Sequence, residues 1–322
     1  MIIKKIILAI FLSLLVLLGS WYFHNQTAKN IVRGVIKNPE NSLISYQGRT
    51  NILLLGMGGV GHEGGDLTDS ILFISLNLSS KDATIISIPR DIWVPSLAAK
   101  INTAYHYGNE KRPGGGLDLA KSAVSETLGV PVHYAIALDF QGFVKAIDAL
   151  GGIDVVVDNA FDDYKYPVPG KETAEPESAR YEHIHFDAGS LHMDGSTALK
   201  FARSRHAEGD EGTDFARGNR QTKIIAAFRN KSLSTSTIFS NSVLADLKSS
   251  ITSSINTDIG EVEQGGLFKV LISLGSTNNI NNLSIADYLI NPKSPKPYGG
   301  QWVLLADPSE ELKSYVKKNL GN

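Results

Sequence analysis

The sequence predicts an α/β domain, a mixed central sheet between two layers of helices, preceded by one membrane-spanning helix. Three observations predict it. Near-continuous apolar runs rich in Ile and Leu, NILLLGM from Asn51, SILFISLNL from Ser70 and ATIISIP from Ala83, have the composition of strands buried on both faces of a sheet. Between residues 117 and 157, segments of helical spacing alternate with strands, the order of a layered α/β domain. Near the N-terminus, the run from Ile6 to Phe23 is long enough nearly to cross a hydrocarbon core of roughly 30 Å.

Taken in chain order, residues 1–23 read as a signal anchor. Lys4 and Lys5 precede it, few basic residues follow, and Trp21 and Tyr22 suit an interface, so the N-terminus is expected in the cytoplasm and the rest outside. A cleaved signal peptide is the alternative; the run is long for one and no clear A-x-A site follows. Residues 24–49 lack a sustained apolar period and read as a membrane-proximal linker. The main domain is expected over residues 50–231. Leu117, Ala120, Val124 and Leu128 recur at helical spacing before Gly129, which can close the helix in a left-handed conformation. A strand VHYAIAL follows, Asp139 can cap a helix carrying Phe143 and Ile147, and Gly151-Gly152 turns it into the strand IDVVV. Residues 158–193, with Pro167, Pro169 and Pro176, read as a long loop or excursion. Helices are expected from about Ser196 to Ala202 and from Asp214 to about Lys231. Residues 232–322 read as a C-terminal extension packed on the main domain, with two helices, a strand at WVLLA and a last helix from about Glu310.

The totals exclude several function classes. With 31 Lys and Arg against 33 Asp and Glu, the chain lacks the massed positive charge of a general nucleic-acid binder. No cysteine is present, so disulfides, thiol nucleophiles and Cys-ligated metals are ruled out. The segment GMGGVG, residues 56–61, satisfies G-x-G-x-x-G but leads into another strand rather than a helix, which favours a flexible glycine loop beside a site over a dinucleotide fold. His183, His185 and His192 permit a zinc reading, yet no H-E-x-x-H set accompanies them, and surface histidines are the plainer reading. Asp162 and Asp163 are given no chemistry.

Residues 201–221, FARSRHAEGDEGTDFARGNRQ, say more. Arg203 and Arg205 project to one side of an extended R-S-R and can clamp an anion. Asp214, Arg217 and Gln221 share one helical arc, which Ile224, Ile225 and Phe228 continue, so the polar group heads an apolar stripe. A solvated ion-pair loop with Glu208, Asp210 and Glu211 is the alternative. Arg90-Asp91 and Asp69 lie at strand ends, where α/β proteins bind ligands. Arginine forks suit phosphate oxygens and a carboxylate beside them can hold Mg²⁺, so the inferred anion is a diphosphate.

In order, NILLLG, LTDSILFISLN, SIPRD, KINTAYHYG, DFQGFVKAIDALGGIDV, LHMDGSTALKFARSRH and DFARGNRQ resemble the LytR-CpsA-Psr family of cell-wall glycopolymer transferases, from about Asn51 to Arg229. The resemblance implies an extracytoplasmic α/β/α domain on a single membrane span, which moves a glycan from a polyprenyl-pyrophosphate carrier to peptidoglycan or a related wall acceptor and releases polyprenyl phosphate. It implies that Asp69 is metal-associated, with Mg²⁺ or Mn²⁺ as cofactor, and that Arg90 and Asp91 join it in catalysis. Arg90, Arg203, Arg205, Asp214, Arg217, Arg220 and Gln221 would bind pyrophosphate, and the apolar elements would line a slot for the lipid tail. Gly58 and Leu67 stand where many members have an aspartate and an arginine; Asp66 or Glu63 is the candidate to replace the missing carboxylate. The rival expectation is a polyprenyl-pyrophosphate or wall-glycan binding protein without turnover, or a lipid pyrophosphatase. A transcriptional regulator is opposed by the charge, the outside placement and the lack of a helix-turn-helix signal.

Overall fold

The computed structural model describes residues 26–59, 64–168, 170, 171, 173–232, 234, 255–273 and 280–321. The expected membrane span and Glu63 lie outside them, and no described helix is long and apolar enough to cross a membrane.

The chain enters through helix α1 (Gln26–Ile36) and forms an antiparallel meander of β1 (Arg49–Met57), β2 (Thr68–Asn77) and β3 (Ala83–Ser87). Helices α2 (Ala104–Lys111) and α3 (Gly115–Leu128) then cross one face, and β4 (Tyr134–Asp139) returns parallel to β1, as a helical crossover permits. Gly129 ends α3 at φ 70°, its N–H bonded to the Ser125 carbonyl. Asp139 caps α4 (Phe140–Ala149), its Oδ1 accepting from Gly142 N at 2.7 Å. Strand β5 (Ile153–Val157) follows, then β6 (Phe161–Pro167), β7 (Tyr181–Phe186) and β8 (Gly189–Met193). Helices α5 (Gly195–Arg203) and α6 (Asp214–Ser232) carry the arginine stretch. The rest of the chain supplies β9 (Ile255–Thr257), α7 (Glu261–Ser273), β10 (Ile280–Asn282) and α8 (Ser309–Asn319).

The central sheet is mixed, in the order β9-β4-β1-β2-β3-β10. Alternation along each strand divides its side chains between two helical layers. Leu53, Leu55, Phe73 and Ile86 are buried against Val124 and Leu128 of α3 and Leu312 and Val316 of α8. Ile52, Leu54, Ile74 and Ile136 face the other way, beneath α4, α6 and α7.

Three segments differ from expectation. Residues 24–49 are not a free linker: α1 packs on α7, and Asn30 Nδ2 donates to Glu261 Oε2 at 2.6 Å. The contact face is made by Gly34 and Gly265, whose backbones approach so closely that a Cβ on either would lie 2.0 Å from a carbonyl oxygen of the other helix. A glycine face carries no hydropathy signal, so the sequence pattern did not expose it. Residues 158–193 are also not a structureless loop. β6 pairs with β7, and β5 with β8, around buried Phe161, Tyr166, Ile184 and Phe186. Last, residues 232–322 are more than an extension packed on a finished domain, because β9 and β10 complete the two edges of its sheet. Edge coverage of this kind removes exposed strand hydrogen-bonding groups. The WVLLA strand shrinks to Leu305–Ala306, paired with Leu289–Ile290.

Candidate active site

The site lies at one end of the central strands. Asp69, second residue of β2, is paired with Arg90, which follows β3; Arg90 Nε is 3.6 Å from Asp91, and Asp91 holds Lys100 Nζ at 2.7 Å. Burial pulls the Arg90 guanidinium down, but the hydrogen bond and charge of Asp69, joined by Asp91, outweigh it and raise its pKa. Arg90 Nε is buried without a hydrogen-bond partner among the described residues, a costly condition for a charged donor. Asp69 is 43% exposed, so one carboxylate oxygen can meet solvent or a ligand. Asp66 sits apart from this network and bonds His106 Nδ1 at 2.6 Å, which raises the His106 pKa.

Asp194 caps α5, and the helix runs through Arg203 rather than leaving it in an extended R-S-R. The expected two-pronged clamp is therefore not formed. Arg203 lies over the Phe140 ring, 4.0 Å from its centroid, and donates to Tyr166 Oη at 3.2 Å, while Arg205 is exposed on the following loop. Cation–π contact and a phenol partner hold the Arg203 fork without cancelling its charge. Burial pushes the Tyr166 phenol up, against the pull of Arg203. Asp163, fully buried, fixes the turn between the two arginines: its Oδ2 accepts from Ser204 Oγ at 2.7 Å and from the N–H groups of Arg205 and His206 at 3.2 Å.

On α6, Arg217 and Gln221 are buried, and Gln221 Nε2 donates to Ser70 Oγ of β2 at 3.2 Å. Arg217 lines a groove with Ser87 and Pro89, next to Arg90. Asp214 opens the helix, and its side chain lies outside the described residues. Arg220 needs correction. It is 3% exposed and turned away from Gln221, with Nε on Phe201 O, Nη2 on Ser204 O and Nη1 on Glu211 O and Oε2, all between 2.7 and 3.1 Å. Four of its five N–H donors join α6 to α5 and the 208–212 loop, so it braces the site.

Beyond Gln221, Ile224, Ile225 and Phe228 continue the same face of α6 into a cavity of about 420 Å³ between that helix, α4, α7 and the sheet. Its wall is almost wholly apolar, with Ile52, Leu54, Ile74 and Ile136 below. A smaller pocket of about 80 Å³ shares Leu54, Leu138, Phe143, Ile224 and Ile225 with it and adds Ser70, Asp139, Arg203 and Gln221. The two adjoin across these shared residues, a greasy body beside a polar neck, and are together termed the tunnel. Tyr166, Phe140, Ser70 and the buried Asp163 were not found by sequence reasoning, which read residues 158–193 as a loop; in the structure Phe161 and Asp163 alternate inward along β6.

A family model described as LytR_cpsA_psr matches residues 19–300. The chain belongs to that family. A LytR_cpsA_psr relative from Bacillus cereus, named polyisoprenyl-teichoic acid–peptidoglycan teichoic acid transferase TagU, is 31% identical over 227 residues, which are 69% of this chain and 66% of its own length. The chain thus matches just under two thirds of that relative. The fold is that of solved neighbours: Bacillus subtilis TagV has a TM-score of 0.59 at 24% identity, covering 86% of this chain and 99% of its own. A structure of TagT bound to LIIa-WTA has a TM-score of 0.59 at 22% identity, covering 87% and 96%.

The donors offered to a metal are few. No group of three or more His, Asp or Glu able to hold an ion occurs among the described residues, and His183 and His185 instead share Asp162. Mg²⁺ nevertheless commonly binds through one or two carboxylates plus substrate phosphates, and half-exposed Asp69 beside Arg90 fits that lesser demand.

Proposed function

We propose that this chain is a membrane-anchored phosphotransferase, N-terminus cytoplasmic and domain extracytoplasmic, which moves a glycopolymer from a polyprenyl-pyrophosphate carrier to a peptidoglycan-like wall acceptor. The observation that carries it is the tunnel: an almost wholly apolar body adjoins a neck holding Arg203 and Gln221. An amphiphile with a greasy tail and an anionic head fits both halves. Likeness to a Bacillus cereus protein named as a teichoic acid transferase, and to TagT with LIIa-WTA bound, supports the same substrate class.

In this reading the tail occupies the tunnel and the diphosphate lies at the neck, toward Arg90 and Arg217. Arg90, whose side chain is 34% exposed, then adds a phosphate oxygen to its partners. An acceptor hydroxyl attacks the glycan-linked phosphorus; the new P–O bond forms as the bond to the bridging oxygen breaks, and polyprenyl phosphate leaves with that electron pair. Asp69 or Asp91 takes the hydroxyl proton. Guanidinium charge and positioning carry the acceleration, as is usual for phosphoryl transfer. Asp69 would hold Mg²⁺ or Mn²⁺, and such an ion would supply further neutralisation of phosphate charge.

To test it, the purified full chain is incubated in detergent with a polyprenyl-diphosphate sugar, a wall acceptor and Mg²⁺. Metal-stimulated transfer, lost in Arg203→Ala, is expected. Intact activity in Arg203→Ala and Arg217→Ala would refute the assignment. The sparse carboxylates favour the second reading, a carrier-binding protein without turnover. Tight lipid-diphosphate binding with no product in that assay would select it.

A further inference from the structure

Residues 301–306 are stitched to the segment that follows Arg90-Asp91. Leu304 N donates to Asp91 O and Trp93 N to Leu304 O, both at 2.9 Å. Along this seam runs an open cleft of about 360 Å³, within the range of ligand pockets. Trp93 and Tyr298 form its aromatic wall, edge to face, with centroids 5.1 Å apart and planes at 73°. Around them stand Glu126, Asp307 and Lys313. Glu126 is fixed by Ser96, whose N–H donates to Oε1 at 3.3 Å and whose hydroxyl holds Oε2. The Asp307 carboxylate is exposed and unpaired among the described residues. Lys313 binds Glu310 at 2.8 Å.

This chemistry selects its occupant. Two rings set edge to face offer flat apolar surface to the C–H face of a pyranose, and the Glu126 and Asp307 carboxylates can accept from its hydroxyls. Glu126 and Asp307 stand in the cleft against Lys313 alone, a lysine already paired with Glu310, so the cleft disfavours an anionic diphosphate or polyanionic donor. Trp93 is three residues past Arg90, so their Cα atoms are at most about 11 Å apart. Asp307 and Lys313 lie past residue 300, where the match to the family model ends.

We propose that this cleft binds a pyranose ring of the acceptor glycan and holds that strand beside Asp91, which gives the C-terminal segment a substrate role. The inference rests on the transfer reading above. Full chain in detergent is sedimented with insoluble peptidoglycan sacculi, and polyprenyl-diphosphate binding is measured on the same preparations. Tyr298→Ala should weaken sedimentation about ten-fold, as loss of an aromatic anchor does. Tyr298→Phe and Trp93→Phe should keep most of it, and lipid-diphosphate binding should not change in any variant. Equal sedimentation of wild type, Tyr298→Ala and Trp93→Ala would overturn the proposal. So would a wild-type chain that binds lipid diphosphate but never the sacculi. Failure of the wild type to bind lipid diphosphate counts against the transfer reading, and sedimentation still judges the cleft.

Discussion

Arg220→Met keeps most of a side-chain volume and removes four hydrogen bonds from a site that is 3% exposed. The carbonyls of Phe201 and Ser204 are then left buried without their donor, at about 1–3 kcal/mol each. Glu211 loses its cation, but at 21% exposure it recovers water, so its share is set at about 1 kcal/mol. The expected destabilisation is about 3–7 kcal/mol, a large part of a typical domain stability of about 5–15 kcal/mol. Arg220→Lys, which restores the charge and one donor direction, should lose about half as much. Urea titration followed by circular dichroism reads both. A loss below about 1 kcal/mol for Arg220→Met would refute the structural role and return Arg220 to the candidate ligand-binding arginines.

Ile225→Trp, which fills the tunnel below the neck, should abolish binding of a long polyprenyl diphosphate while sparing one with a tail of one or two prenyl units, read by competition binding. Gly34→Val sets a side chain against the α7 backbone, so hydrogen exchange in α1 should speed at least ten-fold with the central sheet unchanged. His133 Nδ1 accepts from Asn51 N at 2.8 Å, and burial lowers its pKa. Its contribution to stability is therefore present above the unfolded value near 6.5 and is lost as pH falls through the folded value. His133→Gln should flatten that acid-side slope of the urea midpoint, and an unchanged slope would contradict it.

The strands β1 to β3 were legible because burial on both faces leaves unbroken apolar runs, and the α3 and α4 ends because Gly129 and Asp139 are local signals. Gly34 and Gly265 show the opposite case: their contact depends on having no side chain. Tyr166, Asp163 and Phe140 join the site through the pairing of β6 with β7 and the passage of α4 beneath Arg203, which are long-range contacts. Arg217 and Arg220 differ by less than one helical turn. Spacing marks both as basic, and only the position of α5 and Glu211 decides that one is a brace. The sequence could mark the end of β2 and β3 as a site, but not how the Arg90 network, Arg203 and Gln221 divide it.

A crystal structure of the chain with a polyprenyl diphosphate tests the central claim most directly. The tail should lie between Leu54 and Ile225, with the diphosphate in contact with the Arg203 and Arg90 guanidinium groups. A lipid bound elsewhere, with that tunnel closed and Arg203 still on Tyr166 alone, would contradict it.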